Sequence, residues 1–293
     1  MSQFTGKTAI ISGGAEGIGF SIAQAMGKQG MKLVIADIDT QQLEKAEAKL
    51  QALGVEVLAV PLDVSKRDQW QVVAEQAKAR FGKVHMLVNN AGVGSNPGPI
   101  EKTNATDWEW VLSVNLMGVV YGAEAIVPLM KEHGEGGWMI NVASMAGMAG
   151  APFMGSYTAT KVAVVGMSES WHAELKPHNI QVSVLCPAFV KTRIHLSQRN
   201  KPEEYSSEAS ARDPGASTVA AQMQQIVDAG IAPEIVGERV LEAINAGELY
   251  IFTHPNYRKS IAARSKAIDD AFERAAASPL LQHVLDEDIV SFI

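Results

Sequence analysis

The chain has 293 residues, 47% of them hydrophobic, and a net charge of −7 with a pI near 5.5. That length and composition suit one large α/β domain, while an acidic balance with no basic stripe excludes phosphate-backbone recognition, so no nucleic-acid partner is expected. The single cysteine, Cys186, excludes a disulfide framework and a thiolate metal site; the opening MSQFTGKTAIISGG is not a secretory signal, and no run reads as bilayer-spanning, so a cytoplasmic protein without a membrane partner is expected.

In chain order, the apolar runs at 8–14, 32–38, 55–64, 84–92, 138–144, 180–188 and 249–253 read as strands. Both faces of these runs are apolar, which predicts parallel strands covered by helices on either side. Helical patterns fall between them near 17–29, 40–53, 66–81, 107–132, 156–176 and 233–246. Such alternation predicts an α/β fold with a doubly wound parallel sheet. No internal repeat or low-complexity linker divides the chain, so residues 1–293 read as a single domain. Two stretches break the rhythm. Residues 191–232 contain the polar run QRNKPEEYSSEASARDPGAS, which has neither period and reads as a long lid over a substrate. Residues 256–293 form a C-terminal extension, with a helix expected over 257–276 and a short apolar end that packs on the body or on a partner subunit.

The first strand runs into SGGAEGIG, with Gly13, Gly17 and Gly19 before an amphipathic helix. Such a turn lets backbone approach a pyrophosphate at a helix N-terminus, the Rossmann-type arrangement. Asp37 ends the second strand, where a carboxylate can accept from adenosine ribose hydroxyls; capping the next helix is the alternative, although Asp39 and Thr40 could do that equally. Neither Ile38 nor Glu16 offers a positive charge to a 2′-phosphate, so NAD is expected over NADP. Asp63, in LDVS, divides evenly between capping and cofactor contact.

Asn115 interrupts an otherwise apolar helical face built from positions 108, 111, 112, 116, 119, 120, 123, 126 and 130. A buried amide without partners costs about 1–3 kcal/mol, so it belongs either to a satisfied core network or to a site. Ser144 ends the fifth strand, thirteen residues before Tyr157, and Lys161 follows one helical turn later in SYTATK. A cation there can lower a phenol's pKa toward neutrality. If strand end and helix meet at the carboxyl edge of the sheet, all three converge where ligands bind such sheets. His85, His133, His172, His178, His195, His254 and His283 form no HxxxH or HExxH pattern, so no metal is expected. With no G-x-S-x-G elbow, serine nucleophile chemistry is not expected either.

SGGAEGIG, LDV, NNAG at 89–92, Asn115, Ser144, YTATK and PAFVKT at 187–192 together resemble the short-chain dehydrogenase/reductase family, over residues 5 to about 192. The resemblance implies that Tyr157 is the acid/base, that Ser144 polarises the substrate oxygen, that Lys161 bonds the nicotinamide ribose and lowers the tyrosine pKa, and that Asn115 holds a water. It implies cofactor contacts from Gly13, Glu16, Gly17, Ile18 and Gly19; from Asp37 and Ile38; from Asp63 and Val64; and from Asn90, Ala91 and Gly92. Further contacts would come from Tyr157, Lys161, Pro187, Val190 and Thr192, with Asn89 steadying the central strands. Ser12 stands where threonine is usual, and Ala188 where glycine is usual, which is tolerable unless φ is positive there.

Two longer stretches, PIEKTNATDWEWVLSVNLMGVVYG and IVDAGIAPEIVGERVLEAINAGELYIFTHPNYRK, resemble a narrower group, the NAD-dependent Cα-dehydrogenases of lignin β-aryl ether breakdown and related bulky-ketone alcohol dehydrogenases. That implies oxidation of a bulky, benzylic secondary alcohol by a homodimer or homotetramer. Met145, Met148, Phe153, Met154, Phe189 and Met223 would surround such a substrate, or serve as ordinary core. An NAD(P)H-dependent reductase of 3-oxoacyl or small ketone substrates is the enzyme alternative. A dinucleotide-sensing regulator on the same fold is the non-enzyme one.

Overall fold

Apolar residues alternate across each strand so that both faces are buried. In β1 (Thr8–Ser12) Ala9 and Ile11 join one core and Ile10 the other; in β2 (Lys32–Asp37) Leu33 and Ile35 part from Val34 and Ala36 in the same way. Helices must therefore cover both sides. The computed structural model describes residues 2–205 and 224–288. It folds as two compact units, Met1–Thr253 and His254–Ile293.

The larger unit is a seven-stranded parallel sheet in the order β3-β2-β1-β4-β5-β6-β7. Its remaining strands are β3 (Val57–Pro61), β4 (Met86–Asn89), β5 (Gly137–Val142), β6 (Ile180–Cys186) and β7 (Tyr250–Phe252). The helices are α1 (Gly17–Lys28), α2 (Thr40–Ala52), α3 (Arg67–Phe81), α4 (Ala105–Leu112), α5 (Gly118–Glu132), the short α6 (Met145–Met148), α7 (Gly155–Leu175) and α8 (Pro233–Asn245). One core packs α1, α2 and α8 on the sheet, and the other packs α3, α5 and α7. Strand order reverses direction between β1 and β4, which opens a crevice at the carboxyl ends of those two strands. The smaller unit holds α9 (Arg258–Ala276) and a 3₁₀ turn, Gln282–Val284.

Four expectations need correction. The helix expected over 107–132 is α4 and α5 joined by a π-helical turn, Ser113–Met117; the wider turn carries Asn115 at its centre. Strands are shorter than their apolar runs, because the glycine turns and short caps at their carboxyl ends leave the ladder: β1 stops at Ser12, before Gly13 at φ 61. The lid is not structureless where described. Val190 bridges Ile231 in parallel fashion, 3₁₀ turns occupy Ile194–Asn200 and Glu203–Tyr205, and 224–228 is helical. Its centre at 206–223, with Met223, lies outside the described residues. Finally, one helical run, Ala105–Glu132, is long and apolar enough to cross a bilayer. More than half of its most apolar window is buried in the fold (56%), as befits a core helix.

At the amino end of the sheet, far along the strands from the crevice, His85, His133 and Glu135 lie close enough to share an ion. Their lone pairs are engaged instead. Thr8 N–H can only donate, so His85 Nδ1 accepts it (3.2 Å) and His85 Nε2–H faces Glu135 Oε2 at 3.1 Å. His133 Nε2–H donates to the Val84 carbonyl (2.7 Å), and its Nδ1 accepts from Glu135 N (3.1 Å). Burial holds the His85 pKa below its ordinary 6.5, against the Glu135 bond, which raises it; His133 and Lys7 add to the lowering. The folded state thus resists a proton that the unfolded chain accepts, so this contribution to stability is present above pH 6.5 and is lost as pH falls through the lowered value. Glu135, drawn down to about 2 by Lys83 and His85, does not titrate in that window. The melting temperature should therefore decline as pH falls from 6.5 to 5, and His85→Asn, which keeps an acceptor for Thr8, should flatten that decline. An unchanged slope in the variant would assign the acid sensitivity elsewhere.

Candidate active site

The turn after β1 and the turn after β4 meet at the crevice. Ser12 Oγ donates to Val88 O (3.3 Å) and accepts from Asn90 N (3.1 Å) and Ala91 N (3.2 Å). Asn90 Nδ2 donates to Ser12 O and Gly13 O, both at 2.9 Å. A Cβ on Gly19 would stand 2.1 Å from Gly13 O and 2.4 Å from Asn90 Nδ2, so no side chain fits there. Ser12 keeps the bonds a threonine hydroxyl could make. Gly17, at φ 57, faces the Thr192 methyl, 3.1 Å from where its Cβ would be.

Helix α1 opens at this loop with Glu16 at its N-cap, but no side chain caps it and its first turn contains no acid. Its leading N–H groups and dipole thus offer an anion site. Glu16 is drawn away by two guanidiniums from the start of the expected lid: Arg193 Nε reaches it at 2.6 Å, and Arg199 pairs with its other oxygen. Neither Ile38 nor Glu16 carries a positive charge, as the sequence reads, but these two arginines bring positive charge to the loop from elsewhere in the chain. Asp37 is different. Its carboxylate accepts Ala15 N (3.1 Å) and Asp39 N (3.0 Å), while Asp39 caps α2 by accepting Gln42 N at 3.1 Å. Capping is therefore Asp39's task. Burial raises the Asp37 pKa, and the two backbone bonds act against that. Ile38 beside it is exposed. Asp63 takes Ser65 N (3.0 Å) and Ser65 Oγ (2.7 Å) on one oxygen, a turn-closing role; Val64 is buried and its carbonyl accepts from Trp70 Nε1.

Helix α7 carries Tyr157 and Lys161 and is tied to the sheet by a buried polar chain. Asn89 Nδ2 donates to Asn141 Oδ1 (2.9 Å), and Asn141 Nδ2 to Ser168 Oγ (3.0 Å). Lys161 is buried, and its Nζ donates to Val142 O at 2.8 Å while lying 5.6 Å from the Tyr157 ring centroid. Burial lowers its pKa to about 8, against the nearby Cys186 thiol. Ser144 caps α6 through Ala146 N (3.1 Å) and donates to Pro187 O (3.4 Å). Its hydroxyl also faces the Tyr157 phenol. The phenol's pKa is raised by burial and lowered by Ser144. The expected lowering by Lys161 is not the leading effect, because the ammonium is directed to the Val142 carbonyl.

Asn115 is fully buried, with both ends of its amide on one residue: Oδ1 accepts Val93 N (2.7 Å) and Nδ2 donates to Val93 O (2.9 Å). Of the two sequence alternatives, this is the satisfied network, and it sits beside the site: a Cβ on Gly92 would lie 3.3 Å from Asn115 Oδ1 and 3.6 Å from Lys161 Nζ. Pro187, Val190 and Thr192 leave β6 on the same edge, and Ala188 has no positive φ. The strand ends and α7 thus bring Ser144, Tyr157, Lys161, Asn115 and the glycine loop to one crevice. Of the expected substrate-side residues, Met145 is buried, Met148 and Met154 are partly buried, and Phe153 and Phe189 are exposed. Phe153 has φ 64, a strained state for a bulky residue, with its carbonyl held by Gly98 N at 2.8 Å.

Sequence reasoning missed the anchors of residues 193–205. Besides Arg193 and Arg199, Lys201 forms a buried ion pair with Asp107, and its ammonium lies 5.2 Å from the Trp110 ring centroid. Asn96 Nδ2 donates to the other Asp107 oxygen (2.9 Å), Ser197 Oγ accepts Gly94 N (3.0 Å), and Lys66 pairs with Glu204 at 2.8 Å. The only signal was three cations within nine positions, and their partners lie 94 to 183 residues away.

The short chain dehydrogenase family matches residues 7–203, so the chain belongs to that family and is an oxidoreductase. Among its relatives, a CLA biosynthesis dehydrogenase/reductase of Lactiplantibacillus plantarum is 35% identical over 92% of this chain and 95% of its own. A C alpha-dehydrogenase of Sphingobium sp. strain SYK-6 is 32% identical over 95% and 90%. The crystal structure of a short chain dehydrogenase/reductase from Burkholderia phymatum in complex with NAD superposes with TM-score 0.88 at 36% identity, covering both chains fully.

Removing one partner of a buried ion pair costs about 3–5 kcal/mol, because the other charge stays buried. Lys201→Met should therefore lower the unfolding free energy in urea by that amount, and adding Asp107→Leu should recover most of it. A double variant no more stable than the single one would show that the two charges are not coupled.

Proposed function

We propose that this protein is an NAD-dependent dehydrogenase that oxidises a bulky, benzylic secondary alcohol to its ketone. The observation that carries the chemistry is the convergence of Ser144, Tyr157 and buried Lys161, the last one turn along α7 from the tyrosine. NAD, when bound, supplies the hydride acceptor for the carbinol carbon. The crevice fits a dinucleotide: an uncapped helix N-terminus suits a pyrophosphate, with backbone of Gly13, Glu16, Gly17, Ile18 and Gly19 around it. Asp37, with Ile38, would take the adenosine ribose, and Asp63, Val64, Asn90, Ala91 and Gly92 would border the adenine side. Pro187, Val190 and Thr192 would meet the nicotinamide end, and Tyr157 and Lys161 its ribose.

Tyr157 removes the hydroxyl proton, and Ser144 orients the alcohol oxygen through its hydroxyl. Lys161, buried and donating to the Val142 carbonyl, would hold the nicotinamide ribose beside the phenol. Asn115 acts as a positioning residue, since its amide fixes the Val93 backbone next to Gly92, which borders Lys161. Preference for NAD over NADP rests on Asp37, where a second anion of about −1.5 to −2 charge would be repelled. The Arg193 and Arg199 guanidiniums favour the rival reading, an NADP-tolerant ketone reductase. Turnover with both cofactors separates the two, and equal kcat/KM would decide for the rival.

Tyr157→Phe keeps the ring and removes the acidic proton. It should lower kcat on the order of 10²-fold or more with NAD binding retained; near-normal turnover would remove Tyr157 from the chemistry. The bulky substrate is supported by the strained, exposed Phe153, four residues before Tyr157, and by exposed Phe189. An aryl-ether dimer should exceed 2-butanol in kcat/KM. Phe153→Gly, which relieves the positive φ, should reduce that advantage by about two- to tenfold, the scale of one aromatic contact (~0.5–1.5 kcal/mol). Matching kcat/KM values for the dimer and 2-butanol would refute the substrate class while leaving the dehydrogenase intact.

A further inference from the structure

Helix α9 (Arg258–Ala276) has no buried residue, yet it carries an apolar stripe. Ile261, Ile268 and Phe272 recur at i, i+7 and i+11 on one side. Ile268 is 43% exposed and Phe272 72%. Leu280, Leu281, Val284 and Leu285 follow, all exposed. Isolated apolar side chains on a surface need no explanation, but a continuous stripe of this kind marks an interaction face.

The charges on the same helix say what covers it. Its first half holds Arg258, Lys259, Arg264 and Lys266 and no acid; its second half holds Asp269, Asp270 and Glu273 against Arg274 alone, and Asp286, Glu287 and Asp288 come after it. This order is the reverse of what the helix dipole favours, which is acids at the amino end and bases at the carboxyl end. Only Lys266 and Asp270 pair within the helix, at 2.6 Å. Stability of the lone helix therefore does not account for the segregation. An anionic lipid surface would suit the basic half and repel the acidic one. A parallel second helix would set like charges together. A second copy running antiparallel sets basic half on acidic half at both ends and seals the stripe in one two-fold contact.

We propose that α9 pairs antiparallel with α9 of a second copy of this chain, about a two-fold axis near Ala267 and Ile268. The axis brings Ile268 close to its own counterpart, so Ile268→Cys should form a disulfide-linked dimer under mild oxidation. Cys186 does not compete: it is fully buried, and burial pushes its thiol up to about 12. Phe272→Asp, at a position already exposed, should halve the mass measured by light scattering while circular dichroism stays the same. A variant with Arg264→Glu and Lys266→Glu, and another with Asp269→Lys, Asp270→Lys and Glu273→Lys, should each show that smaller mass alone and regain the larger one when mixed. An unchanged mass for Phe272→Asp, or no cross-link through Ile268→Cys, overturns the pairing. So does co-sedimentation of the intact chain with phosphatidylserine vesicles that Phe272→Asp abolishes, which would make the occupant a lipid surface.

Discussion

Everything at the crevice depends on how closely two backbone turns approach. The turn after β1 and the turn after β4 are held together by Ser12 and the Asn90 amide, with no room for a Cβ at Gly19 and little at Gly13. Strand order requires the meeting, because β1 and β4 are neighbours while the chain between them has visited β2 and β3. The helix that starts there is left with uncapped N–H groups pointing at the gap. An anion site follows from sheet topology and the absence of three side chains, without a cationic residue in the loop itself.

The other half of the site is organised by burial of polar groups that could not survive alone. Lys161 gives up hydration and is met by the Val142 carbonyl; Asn115 is met at both ends by Val93. The π-helical turn at Ser113–Met117 belongs to the same economy of bonds, since it sets Asn115 in the interior of a helix that is otherwise apolar on that face. Such groups resist displacement because each alternative leaves an unpaired amide or charge in the core. Rigid second partners of this kind are what hold an acid/base pair in register with a substrate.

Across the opening, residues 193–205 are fastened from four distant parts of the chain, by the charges of Glu16, Lys66 and Asp107 and by the Asn96 amide. The pairing of Glu16 with two arginines removes a negative charge from the glycine loop that the local sequence alone would leave there. Asp37, whose carboxylate is bonded to Ala15 and Asp39 backbone, borders the same turn.

The sequence by itself determined the class of fold and picked out the candidate reacting groups. Short runs apolar on both faces, alternating with amphipathic helical stretches, read as strands covered on both sides, and the glycine turn, Ser144, Tyr157 and Lys161 stand at spacings local enough to read along two strand ends and one helix. It also showed that Asn115 had to be bonded, though not to what. What the tertiary structure decided are the pairings between residues far apart in the chain. The Val93 backbone satisfies Asn115, Asp39 rather than Asp37 caps α2, and arginines more than 170 residues away neutralise Glu16. The direction of the Lys161 ammonium, toward Val142 rather than the phenol, was likewise decided there. Periodicity reports which side of an element is buried. It carries no information about which distant group a buried charge or amide meets, because that depends on how whole elements are stacked.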